Sequence, residues 1–127
     1  MAQQKLVFTG SVDLGAPVGS PSGQPQAIVA FDETSYTQRI LSTVLRLTGD
    51  SAVTLNLGQL STVNFLSIRA DGGKVRVRIT SADGTSQSIP VDPFLILRCD
   101  SVGITAIDIT RTAGIDTDVY VVLGEKS

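Results

Sequence analysis

Residues 74–80 read KVRVRIT, with Lys74, Arg76, Arg78 and Thr80 at alternate positions and Val75, Val77 and Ile79 between them. A strict two-residue rhythm fits an extended backbone, whose side chains leave opposite faces in turn, and does not fit the 3.6-residue period of a helix. The same rhythm recurs along the chain in short runs: 5–9, 27–31, 52–57, 64–70, 74–80, 86–91, 94–99, 104–110 and 118–123. Residues that break strands separate them. Asp71-Gly72-Gly73 and Asp83-Gly84 tolerate positive φ and suit tight hairpin turns, while Pro90 and Pro93 lack a donor N–H and mark strand ends.

Nine or ten short strands in 127 residues predict an all-β fold: an antiparallel β-sandwich, jelly-roll-like, built as a single domain around one core. The absence of long helical crossovers argues against a parallel α/β arrangement. Residues 36–47, YTQRILSTVLRL, admit two readings. As a helix they would align Tyr36, Ile40, Val44 and Leu47, with Thr34 or Ser35 as cap and Gly49 as terminator. As a strand they place Leu41, Leu45 and Leu47 on one face and Ile40 and Val44 on the other. The uniformly β surroundings and the Thr and Val content favour the strand. Residues 10–26 are dominated by Gly, Pro and Ser, with Pro17, Pro21 and Pro25 four apart. Such a segment builds no core strand and is expected to be either a long exposed loop or an arm lying on a neighbouring subunit.

Charged residues make up only 17% of the chain, below the roughly 25% of typical soluble domains, while 42% are hydrophobic. A surface so thinly charged is expected to be covered in part by other copies or partners, which predicts a homo-oligomer. The net charge of −2 and isoelectric point near 4.8 lack the strongly basic footprint of a general nucleic-acid binder. The N-terminal residues show neither a signal-peptide pattern nor a membrane span, so neither export by that route nor membrane insertion is expected. A single cysteine, Cys99, closes the apolar run FLILRC and reads as a packing residue.

Histidine is absent, which removes Ser-His-Asp triads, Cys-His dyads and His-ligated metals from consideration. The carboxylate pairs Asp32-Glu33 and Asp116/Asp118 remain, and both read as turn or strand-end residues. No phosphate-binding glycine loop occurs. Aromatics at 5% and the lack of tryptophan leave little for base stacking or a sugar-binding bed. No catalytic residue, cofactor or metal is expected.

Lys74, Arg76 and Arg78 thus form a comb on the outward face of one strand, and Arg69, just before the Asp71 turn, is expected to reach the same surface from a paired strand. This surface either faces water or meets an acidic partner. A row of three or four cations on an acidic protein releases too few counterions to grip nucleic acid.

The order of motifs carries a resemblance. VTLNLGQLSTVNFLSIRADGGKVRVRI, IPVDPFLILRC, ITAIDIT and the closing DVYVVLG, spread over residues 36–124, resemble the small all-β virion proteins of tailed bacteriophages, including head decoration (cement) proteins and small tail components. The resemblance implies a jelly-roll fold, assembly as a trimer, a place in the virion after assembly in the host cytoplasm, and action by binding rather than catalysis. It makes a capsid decoration protein that binds the major capsid protein the leading expectation. Its partner-facing residues would then be Arg69, Lys74, Arg76 and Arg78, with Pro17, Pro21 and Pro25 on the arm. A tail, adaptor or fibre-associated protein of the same fold is the second expectation, and a carbohydrate-binding module the third.

Overall fold

The computed structural model describes residues 4–14, 27–99 and 102–126, with side chains from Ile40 onward. Every element among them is a strand: β1 (Gln4–Leu14), β2 (Ala27–Leu47), β3 (Val53–Thr54), β4 (Phe65–Asp71), β5 (Val75–Ser81), β6 (Ser86–Val91), β7 (Phe94–Arg98), β8 (Ile104–Arg111) and β9 (Thr117–Lys126). They form two antiparallel sheets, a five-stranded one in the order β1-β2-β9-β4-β7 and a four-stranded one in the order β3-β8-β5-β6. From β2 to β9 the chain changes sheet at every connection except the β5–β6 hairpin, so the strands wrap the two layers together. The β-sandwich expected from the alternation is the architecture found.

The inward residues of both sheets meet in one core. Leu66 and Ile68 from β4, Val119, Val121 and Leu123 from β9, Val77 from β5 and Ile107 and Ile109 from β8 are all essentially inaccessible to solvent. Each such side chain contributes about 1.5–3 kcal/mol by leaving water. In β8, Ile104 and Ile107 are three residues apart, so plain alternation would place them on opposite faces. A bulge at Thr105 shifts the register against β5 between Thr80 and Ser81, and both isoleucines are buried.

Residues 36–47 are strand throughout, and the helical reading falls. Residues 39–47 ladder onto β9, which directs Leu41, Leu45 and Leu47 to the core and leaves Val44 outside. They continue residues 27–37 in one strand of 21 residues. Asp32 and Glu33, read from sequence as turn residues, lie inside that strand opposite Thr9 and Phe8. Gly10 to Leu14, placed by composition in a segment that builds no strand, belong to β1 and pair with Phe31 to Ala27. The rest of that segment, including Pro17, Pro21 and Pro25, lies outside the described residues. The run expected at 52–57 shrinks to the two residues of β3.

The Asp83-Gly84 turn joins β5 to β6 as a hairpin, with Gly84 at φ 90° and the Asp83 carboxylate accepting from the Thr85 N–H and hydroxyl. Asp71-Gly72-Gly73 does not make a hairpin. It carries the chain from β4 in one sheet to β5 in the other, and Gly72 adopts φ 103° where a Cβ would sit 3.0 Å from the Asp116 carbonyl oxygen.

Candidate functional site

Two outer faces are available for contact. On the four-stranded sheet, β5 alternates as the sequence predicts: Val75, Val77 and Ile79 are buried, while Lys74, Arg76 and Arg78 are exposed. The register sets Arg78 in the cross-strand row Thr54, Asp108, Arg78, Ser88, and Arg76 in the row Thr110, Arg76, Pro90. The Thr54 hydroxyl donates to Asp108 at 2.7 Å, and the Thr80 and Ser86 hydroxyls are 3.0 Å apart. A shallow depression beside the comb is lined by Lys74, Arg76, Pro90, Thr110, Arg111 and Thr112. This face is mostly polar, with Pro90 and Ala106 its apolar members.

Arg69 does not join the comb. It lies on β4, in the other sheet, and its guanidinium sits 5.4 Å from the centre of the Tyr120 ring, within cation–π range. The sequence expectation took β4 and β5 for a hairpin pair; the crossing at Gly72 separates them by the thickness of the sandwich.

The outer face of the five-stranded sheet is of another kind. Register brings Val44, Tyr120, Arg69 and Phe94 into one row across β2, β9, β4 and β7, and Ser42, Val122, Ser67 and Ile96 into the next. Phe94 is 63% exposed, Val44 58%, Ile96 44% and Tyr120 41%. Large apolar side chains left open to water on either side of the Arg69 and Ser67 strip make this face a candidate contact surface. Sequence reasoning missed this face, although a signal existed. FLILRC and DVYVVLG are apolar at successive positions rather than alternate ones, the pattern of a strand covered on both sides.

At one end of the sandwich, charges are paired. Arg111, with its side chain 8% exposed, donates to Asp50 through Nη2 at 2.9 Å and through Nε at 3.0 Å, and to Asp116 through Nη1 at 2.7 Å. Arg46 reaches Asp118 at 2.9 Å and Asp116 at 3.9 Å. The Gly114 N–H, donating at 3.0 Å, and the nearby Arg111 guanidinium hold the Asp50 carboxyl below its ordinary value. Asp116 and Asp118 thus clip the 112–116 turn and the start of β9 to neighbouring strands. Among the described residues no three His, Cys, Asp or Glu side chains converge into a metal-holding set, and no helix is long and apolar enough to cross a membrane. Cys99 is partly buried and packs against the core.

No protein-family model matches this chain, and no curated protein matches it either.

Proposed function

We propose that this chain is a structural subunit of a virion, a jelly-roll protein that decorates the capsid of a tailed bacteriophage and cements neighbouring major capsid subunits. The observation that carries the reading is the apolar outer face of the five-stranded sheet: a chain with only 17% charged residues leaves Phe94, Val44, Ile96 and Tyr120 open where a protein partner would cover them. The strand order supports it. With β1 set aside, the order β2-β9-β4-β7 facing β3-β8-β5-β6 is consistent with the paired Greek keys of a jelly roll, an architecture used in capsid proteins. The sequence resemblance across residues 36–124 supports the same assignment.

The chain works by binding, as a homo-oligomer with a trimer favoured, and its place is the virion, assembled in the host cytoplasm. Its partners are its own copies and the major capsid protein, with no nucleic acid, membrane or cofactor involved. Lys74, Arg76 and Arg78, on the mostly polar outer face of the opposite sheet, suit a separate contact with an acidic partner surface. A sugar-binding role is the weaker alternative, because Arg69 already covers one face of the Tyr120 ring that a sugar would need.

Gold labelling of purified virions with antibody to the chain tests the assignment. Label over the head is expected. Label confined to the tail moves the protein to the tail or adaptor class, and the absence of label and of the chain itself from purified particles refutes the virion reading.

A further inference from the structure

Two strands of the five-stranded sheet carry nearly the same residues. β4 opens with Phe65-Leu66-Ser67-Ile68-Arg69, and β7 consists of Phe94-Leu95-Ile96-Leu97-Arg98. They lie side by side, antiparallel, in the register that sets Phe65 against Arg98, Arg69 against Phe94, Leu66 against Leu97 and Ile68 against Leu95. A strand of this pattern thus pairs with an antiparallel strand of the same pattern: phenylalanine meets arginine at each end, and apolar side chains meet on the inward side. β4 is enclosed by β9 and β7, whereas β7 ends the sheet and has β4 as its one partner strand among the described residues.

The outer edge of β7 is prepared for the same pairing. The Ala70 N–H donates to the Pro93 carbonyl at 2.7 Å and the Cys99 N–H to the Asn64 carbonyl at 2.7 Å, so residues 93, 95, 97 and 99 turn their backbone groups toward β4. Alternation turns those of Phe94, Ile96 and Arg98 away from it. This edge also lacks the guards that usually blunt an exposed strand. β6, at one end of the other sheet, carries Pro90, and β3, at the opposite end, is two residues long. β7 has no proline within it and no charge before Arg98. Phe94 and Ile96 are exposed on its outer side, and Leu95 and Leu97 are only half-buried at the margin of the core.

We propose that β7 pairs with β7 of a second copy, antiparallel about a two-fold axis at Ile96, so that two five-stranded sheets join edge to edge. Ile96 then opposes the partner's Ile96 and exchanges N–H to carbonyl bonds with it, since both turn their backbone groups outward. Phe94 opposes the partner's Arg98, as it opposes Arg69 on its inner side, and Leu95 opposes the partner's Leu97, so the half-buried leucines gain apolar neighbours. A slip of one residue would set outward backbone groups against groups already committed to β4. The five residues of β7 fall well short of the roughly 20–30 residues a side of a standard interface, so the pair forms at high concentration or where copies already stand side by side. A two-fold contact uses one edge per copy, and in a trimeric assembly it links one trimer to the next. The inference rests on reading the chain as an assembly protein and names the contact that joins its assemblies.

Cysteine crosslinking along the edge tests it, with Cys99→Ala as the background and copper phenanthroline as the oxidant at high micromolar protein. In the proposed register the two Cα atoms at position 96 lie about 5.5 Å apart, within disulfide range, whereas those at 94, and those at 98, are offset by four residues, about 13 Å along the strand, and lie beyond it. Ile96→Cys should therefore give a disulfide-linked dimer at least about tenfold faster than Phe94→Cys or Arg98→Cys. In a second measurement, Ile96→Pro removes a donor from the outer edge without touching the β4 ladder, and Ile96→Lys sets like charges together at the axis. Both should weaken self-association in sedimentation equilibrium more than about tenfold, and the lysine variant reads the contact if the proline one loses its cooperative melt. Equal crosslinking at 94, 96 and 98, none at 96, or a lysine variant that associates like wild type each overturn the inference. A chain that crosslinks at 96 but is absent from virions keeps the edge pair and refutes the virion assignment; a chain that labels virions but does not crosslink at 96 does the reverse.

Discussion

The two outer faces of this sandwich are made by the same backbone and rest on the same core, yet they are prepared for different neighbours. Over the four-stranded sheet the rows run through Thr54, Asp108, Arg78 and Ser88, each able to satisfy itself in water. Over the five-stranded sheet the matching row holds Val44, Tyr120, Arg69 and Phe94, and its largest charge is laid across an aromatic ring. The difference lies in the apolar residues rather than in the charge: both faces carry charged side chains, Lys74, Arg76, Arg78 and Asp108 on one and Arg46, Arg69, Asp71, Arg98 and Asp118 on the other, but it is the five-stranded face that leaves Phe94, Val44, Ile96 and Tyr120 open.

The largest effect should come from the layer the two faces share. Ile68→Ala removes a side chain with no solvent exposure and should cost about 2–5 kcal/mol in chemical denaturation. A loss under about 1 kcal/mol would mean that β4 is not the floor of both faces, and the comparison would collapse.

Next in size is the contrast between the faces. Phe94→Ser/Tyr120→Ser should weaken self-association more than tenfold, about 1.4 kcal/mol, while Arg76→Glu/Arg78→Glu changes it less than about twofold. Equal sensitivity of the two faces in sedimentation analysis would erase the distinction between them.

The charged clip gives a smaller, pH-dependent effect. Because the Asp50 carboxyl titrates below its ordinary value in the fold, its contribution is fully present above that ordinary range and fades as pH falls through the lowered value. Asp50→Asn should therefore be less stable than wild type near neutrality, and the gap should close as thermal melts are taken from about pH 5 toward pH 3. A gap that persists or widens on acidification contradicts the pairing.

The smallest effect separates two teeth of the comb. Arg78 opposes Asp108, whereas Arg76 opposes Thr110 and Pro90. Arg78→Glu sets like charges across the ladder and should cost about 0.2–1 kcal/mol, while Arg76→Glu stays within about 0.5 kcal/mol of wild type. Wild type should give no gel shift with DNA at about 150 mM salt, since the comb is too short a row for phosphate binding.

Much of this architecture was legible in the residues. The alternation in KVRVRIT fixed which side of β5 is wet, because a one-residue slip would bury Arg76 and Arg78. Leu41, Leu45 and Leu47 marked the inward face of β2 in the same way. Other features had no local signature. Asp-Gly-Gly provides positive φ whether the chain turns back on itself or crosses to another sheet, so the partner of β4 could not be read from it, and Arg69 was placed on the wrong face. Asp32 to Ser35 resembled a turn because polar residues are scarce in strands, and only their pairing with Leu6 to Thr9 keeps them extended. The bulge at Gln38 depends on register with β9, more than 80 residues away along the chain. The apolar outer face was visible in FLILRC and DVYVVLG, but a strand apolar on both sides announces two covers without naming the second.

The central proposal is that in the purified chain the outer face of the five-stranded sheet is covered by other copies and that of the four-stranded sheet is left open, and hydroxyl-radical footprinting measures this side chain by side chain. Modification of Phe94, Ile96 and Tyr120 should fall several-fold as the purified chain is concentrated from the nanomolar range, where monomers prevail, to tens of micromolar, while Pro90 and the other residues beside Arg76 and Arg78 keep their reactivity. Protection of the apolar row alone is the result the account predicts. Phe94 and Tyr120 that stay equally reactive at every concentration, or protection that appears first around Pro90, would contradict it.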